Sequence, residues 1–150
     1  MRNGGAFARD TTVAVAKSRA EIEELLRRYG AHAYASGWDA NRATIGFTIS
    51  GRMVQLQVVV PPLEEFMTTG KRKRAPAQAR AAHEQENRRR WRALALVIKA
   101  KLEAVASGIS TVEKEFMAHV VLPNGSTVGE WLAPQLDHAY SSGRMPPMLP

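Results

Sequence analysis

From Ala77 to Ser107 the chain runs without a glycine or a proline, is rich in Ala, Arg, Glu and Gln, and stops at Gly108. That composition predicts a single helix of about 30 residues, about 45 Å long at 1.5 Å per residue. Its two halves differ in character. Trp91, Leu94, Ala95, Ile98, Leu102 and Val105 repeat at the i, i+3, i+4, i+7 spacing of a helix that faces a core. Followed toward the N-terminus, the same stripe meets Asn87, Glu84 and Arg80. With no apolar face to bury, the first half is expected to project from the body, to fray, or to become ordered on a partner.

The other elements are shorter. Residues 1–11 are polar and expected to be loose, and Thr12 to Ala16 reads as a short strand. Ser18-Arg19-Ala20-Glu21 has the S-x-x-E spacing of a capping box and opens a helix over Arg19 to Tyr29, which Gly30 closes. Strands are expected over 33–38, 42–50 and 53–60, where Ile45, Phe47 and Ile49 alternate with Thr44, Gly46 and Thr48 before Pro61-Pro62 ends the run. Leu63 to Met67 reads as one helical turn, and Thr68 to Ala77 as a polar connector. Ser110-x-x-Glu113 and Thr127-x-x-Glu130 are two further capping boxes, and Ala118 to Leu122 is strand-like before the Asn124-Gly125 turn. The chain thus reads as one α+β domain over 1–150. A small, mostly antiparallel sheet (12–16, 33–38, 42–50, 53–60) is covered by helices at 19–29, 91–107 and 127–141. One long basic helix starts in a projecting segment (68–90), and 143–150 forms an extended tail.

Several function classes find no support in the composition. There is no cysteine, so disulfide frameworks, thiolate metal sites and cysteine nucleophiles are out. No apolar run approaches the roughly 20 residues of a membrane span. Met1 to Gly5 lacks the apolar centre of a secretory signal, so the expected compartment is the cytoplasm. His32, His83, His119 and His138 form no H-E-x-x-H or close pair, and no metal or other cofactor is expected. Gly70-Lys71-Arg72 lacks the spacing of a phosphate-binding P-loop, and no G-x-S-x-G occurs. Catalysis is not expected.

The charge distribution is informative. The chain carries +7, and the window from Lys71 to Arg92 holds nine cations against two acids, which is the whole excess. The cations are Lys71, Arg72, Lys73, Arg74, Arg80, Arg88, Arg89, Arg90 and Arg92; the acids are Glu84 and Glu86. Arginine dominates, which suits bidentate phosphate contacts. The window is expected to track a polyanion, nucleic acid or a nucleoprotein, although an acidic protein surface or a merely solvated face has the same composition. Base-specific reading is not indicated, for want of a helix-turn-helix or RNP aromatic pattern. Trp38, beside Gly37 and Asp39, is evenly divided between packing and stacking on a base. Trp91 and Trp131 are expected in the core.

The phrases AKSRAEIEELLRRYGA, WRALALVIKAKLEAVASGI, HVVLPNGSTVGEWLAPQL and GRMPPMLP resemble small open reading frames of bacteriophages and prophages that carry no assigned activity. The resemblance implies a phage context within a bacterial cytoplasm. The expected function is non-catalytic binding of DNA or RNA through residues 71–92, with Trp38 as a further contact. The alternative is a phage-encoded inhibitor or adaptor that occupies a nucleic-acid path on a host nucleoprotein or defence complex. Association with further copies of the chain is left open.

Overall fold

The computed structural model describes residues 3–39 and 42–145. The fold is α+β. Helix α1 (Asn3–Arg28) is followed by a meander of β1 (His32–Trp38), β2 (Arg42–Ile49) and β3 (Arg52–Val59). A 3-10 turn (Leu63–Phe66) leads into the two-stranded hairpin β4 (Thr68–Thr69) and β5 (Arg72–Lys73), then the long α2 (Pro76–Ala106), α3 (Val112–Phe116) and α4 (Val128–Ser142).

The meander is antiparallel throughout, in the order β1-β2-β3. Its alternating sequence puts Ile45, Phe47 and Ile49 on one face, opposite Leu56 and Val54 of β3, and all five are buried. The other face carries Thr44, Gly46 and Thr48. Helices α1 and α2 pack against each other, and Ile22 and Leu26 of α1 join Trp91, Ala95, Ile98 and Leu102 of α2 over the apolar face of the sheet. Phe116 of α3 closes the cluster with its ring edge-on to Phe47, 5.7 Å between centroids. Burying side chains of this size is worth about 1.5–3 kcal/mol each. The predicted strands at 33–38, 42–50 and 53–60 and the turn at 63–67 are therefore present.

Several expectations fail for identifiable reasons. Residues 3–11 are not loose and 12–16 are not a strand: both belong to α1, which leaves three strands in the sheet instead of four. Val15 packs on the core and Ser18 is buried, one turn before Ile22, so the apolar stripe of the helix runs past the supposed cap at Ser18 and the helix runs with it. The helix does end where expected, at Gly30 with φ +88°. Second, the first half of α2 does not project. Ala79 is fully buried and His83 packs on Phe66, because the covered face swings sideways along the i, i+4 row Trp91, Asn87, His83, Ala79 toward the 3-10 turn.

Third, the connector at 68–77 contains the hairpin, with Gly70 at φ +59° in the first turn position that a two-residue loop opens with. Fourth, α4 does not cover the sheet. None of its residues is buried, it packs on the short turn Met117–His119, and Trp131 is half exposed, so Trp131 is not a core residue. Ala118–Leu122 forms isolated bridges only, Val120 to Val54 and Val121 to Thr127. Of the last two capping boxes, Thr127 caps α4 as expected, accepting from the Glu130 amide at 3.2 Å, while α3 is capped by Thr111 in place of Ser110. Gly143 terminates α4 in the left-handed conformation, and most of the expected extended tail, 146–150, lies outside the described residues.

Candidate nucleic-acid interface

The nine cations of the basic window fall into two groups. Lys71, Arg72 and Lys73 lie on the hairpin, exposed, and form no ion pair among the described residues. A two-stranded hairpin is marginal alone, but this one is tethered. The Arg74 amide donates to the Met67 carbonyl at 2.7 Å and the Arg74 guanidinium donates to the Phe66 carbonyl at 3.2 Å. The Phe66 ring in turn sits edge-on to His83 of α2, 5.3 Å between centroids. The consequence is a basic tip on a fixed stalk.

On the helix, Arg89 and Arg90 are held by an acid one turn before them. Glu86 accepts from the Arg89 guanidinium at 2.6 and 2.8 Å and from Arg90 Nε at 2.8 Å. These hydrogen bonds, from Arg89 first and Arg90 second, lower the Glu86 carboxyl to a pKa of about 2. Arg90 also donates to the Val59 carbonyl at the end of β3, tying α2 to the sheet edge. Arg88 has an interaction of its own, whereas Arg80 and Arg92 are exposed. At about 100° per residue, Arg88 and Arg92 lie on the flank toward α1 and Arg90 on the opposite flank. The window is contiguous in sequence and divided in space.

Trp38 is 77% exposed. It ends β1 in register with Ala43, which pairs with Val58, so Trp38, Ala43 and Val58 form the last row on the helix-facing side of the sheet. The helices cover the preceding rows and leave the Trp38 end of this one open. The gap is a cleft of about 240 Å³ with Val58, Val60 and Ala43 on its floor, Trp38, Asp39 and Arg42 at its lip, and Arg19, His83, Asn87 and Trp91 on its walls. Trp91 is 4% exposed, as expected of a core residue. The Arg19 guanidinium lies 5.8 Å from the Trp38 ring centre and 5.9 Å from that of Trp91, and donates to Ser36 Oγ at 2.7 Å. Behind it the Tyr34 hydroxyl is buried beside the Ser36 and Arg19 side chains, and burial pushes its phenol up.

No family model, curated protein or solved structure matches the chain.

Sequence reasoning singled out Trp38 but missed the cleft, together with Arg19, Arg42, His83 and Asn87. The i, i+4 spacing of His83, Asn87 and Trp91 was the available signal for one wall, and Arg19 and Arg42 carry no local motif at all. Among the described residues no three His, Asp or Glu side chains converge in a metal-ligating group, and no helix is long and apolar enough to cross a membrane.

Proposed function

We propose that the protein is a small non-catalytic nucleic-acid-binding protein whose backbone contacts come from the tip of the β4–β5 hairpin. The observation that carries this reading is the placement of Lys71, Arg72 and Lys73: three adjacent cations with no acid paired to them among the described residues, on a turn fixed to the body through Arg74, Phe66 and His83. Holding cations in place removes part of the ordering cost that a loose basic loop has to meet on binding. Each phosphate they neutralise releases condensed counterions, so affinity comes without base recognition. Arg80 and Arg92, exposed on α2, extend the positive field, while Arg89 and Arg90 contribute less because Glu86 holds them.

The role fits the phage context that the sequence resemblance implies, inside a bacterial cytoplasm. Binding of labelled oligonucleotide, followed by fluorescence anisotropy across a salt series, tests it. Three phosphate contacts from the hairpin give a log–log slope of about −2 to −3. A protein that ignores free DNA and RNA at low salt, yet is retained on a host nucleoprotein complex after nuclease treatment, would replace this reading with that of an inhibitor or adaptor.

A further inference from the structure

We infer that the cleft between Trp38 and Trp91 takes one unpaired nucleobase, so that the strand held by the protein is single. The inference rests on the nucleic-acid reading above and adds to it a second site and a choice between strand forms.

Four features of the cleft point the same way. Its mouth is a tryptophan ring left 77% exposed yet fixed in register at the end of β1, with a guanidinium against it, which is a stacking platform already in position. Its floor is apolar, from Val58 and Val60. Its volume, about 240 Å³, is below the roughly 300–1,000 Å³ of pockets for drug-sized ligands and suits a single ring system. Its polar groups, Asp39 at the lip apart, are suited to a base and its phosphate. The Asn87 amide, which offers both a donor and an acceptor, forms no hydrogen bond among the described residues, and Arg42 at the lip forms no ion pair there.

Access decides the form of the nucleic acid. In a duplex each base is stacked on both faces and paired along its edge, so it reaches a walled cleft only by being extruded. A single strand presents its bases without that cost. The cleft and the basic hairpin are also adjacent, since His83 lines one and holds Phe66 at the root of the other. A strand whose phosphates lie on the hairpin can thereby offer a base to Trp38.

The test measures anisotropy of a labelled short oligonucleotide as a single strand and as a duplex, for the parent chain, Trp38→Ala and Trp38→Phe. Tryptophan fluorescence is read alongside with adenosine monophosphate. The parent chain is expected to prefer the single strand and to be quenched by the mononucleotide. Trp38→Ala should lose about 5- to 150-fold in single-strand affinity, the equivalent of one base–aromatic stack, with duplex affinity unchanged, and Trp38→Phe should retain most of it. Equal single-strand binding by Trp38→Ala and the parent would overturn the cleft as a base site while leaving the hairpin reading intact. If the parent binds neither strand form, the nucleic-acid reading fails, and the mononucleotide then decides the cleft alone: an unquenched spectrum removes it.

Discussion

Two parts of one basic window have opposite fates. The tetrad Lys71-Arg72-Lys73-Arg74 and the run Arg88-Arg89-Arg90 look alike in sequence, yet three cations of the first stand exposed on a turn, while in the second Glu86 holds Arg89 and Arg90 and Arg90 is tied to the sheet edge. What separates them is the neighbouring acid and the local period. Glu86 lies three and four residues before Arg89 and Arg90 on a helix, the spacing at which side chains meet. The hairpin has no acid within its own turn, and its short strands point successive side chains away from each other. Net charge therefore overstates the surface offered to a polyanion, and the share that remains is concentrated on the hairpin.

Replacing Lys71, Arg72 and Lys73 together by Ala should produce the largest change. The salt slope of oligonucleotide binding is expected to fall in magnitude by about 2 to 3, with a thermal midpoint close to that of the parent, because exposed positions contribute little to stability. A variant that keeps its slope would place the contacts on α2 and reverse the comparison.

Phe66→Ala tests the stalk instead of the charge. It removes the ring that seats on His83 and leaves every cation in place. A loss of about 3- to 10-fold in affinity at unchanged salt slope is expected, the cost of ordering a freed turn. An unchanged affinity would mean that the rigidity of the hairpin is irrelevant.

Glu86→Gln sharpens the other side. It releases Arg89 and Arg90, and the salt slope should steepen by about 1 or less. The same substitution changes the response to acid. The carboxyl of Glu86 is depressed in the folded state from 4.5 to about 2, so its contribution to stability is present above pH 4.5 and is lost as the pH falls through that window. The parent should lose more stability than Glu86→Gln between those two values in acid unfolding followed by circular dichroism, and parallel curves would show that the pair is only a surface contact.

The meander was legible because alternation at period 2 is a local signal, and Trp91, Leu94, Ala95 and Ile98 gave the core face of α2 for the same reason. The failures lie where a neighbour decides. Ala79 and His83 offer no apolar stripe that continues Trp91, and only the 3-10 turn at Leu63–Phe66 makes their side of the helix the covered one. Ser18 reads as a cap until the helix before it is seen to share its stripe through Val15. The α4 pattern of Trp131, Leu136 and Tyr140 is that of a core-facing helix, yet these residues stand exposed. The cleft was illegible because it joins the meander to two helices distant from each other in sequence, and no spacing records where the helices stop covering the sheet.

Amide hydrogen exchange with and without a single-stranded oligonucleotide tests most directly the division between a binding hairpin and an already packed helix. Residues 76–90 should be protected in the free protein and little changed on binding, while new protection appears at Thr68–Lys73 and at Gly37–Trp38. Rapid exchange of 76–90 in the free protein, slowed only when the oligonucleotide is added and with no change in the hairpin, would contradict it and return recognition to the helix.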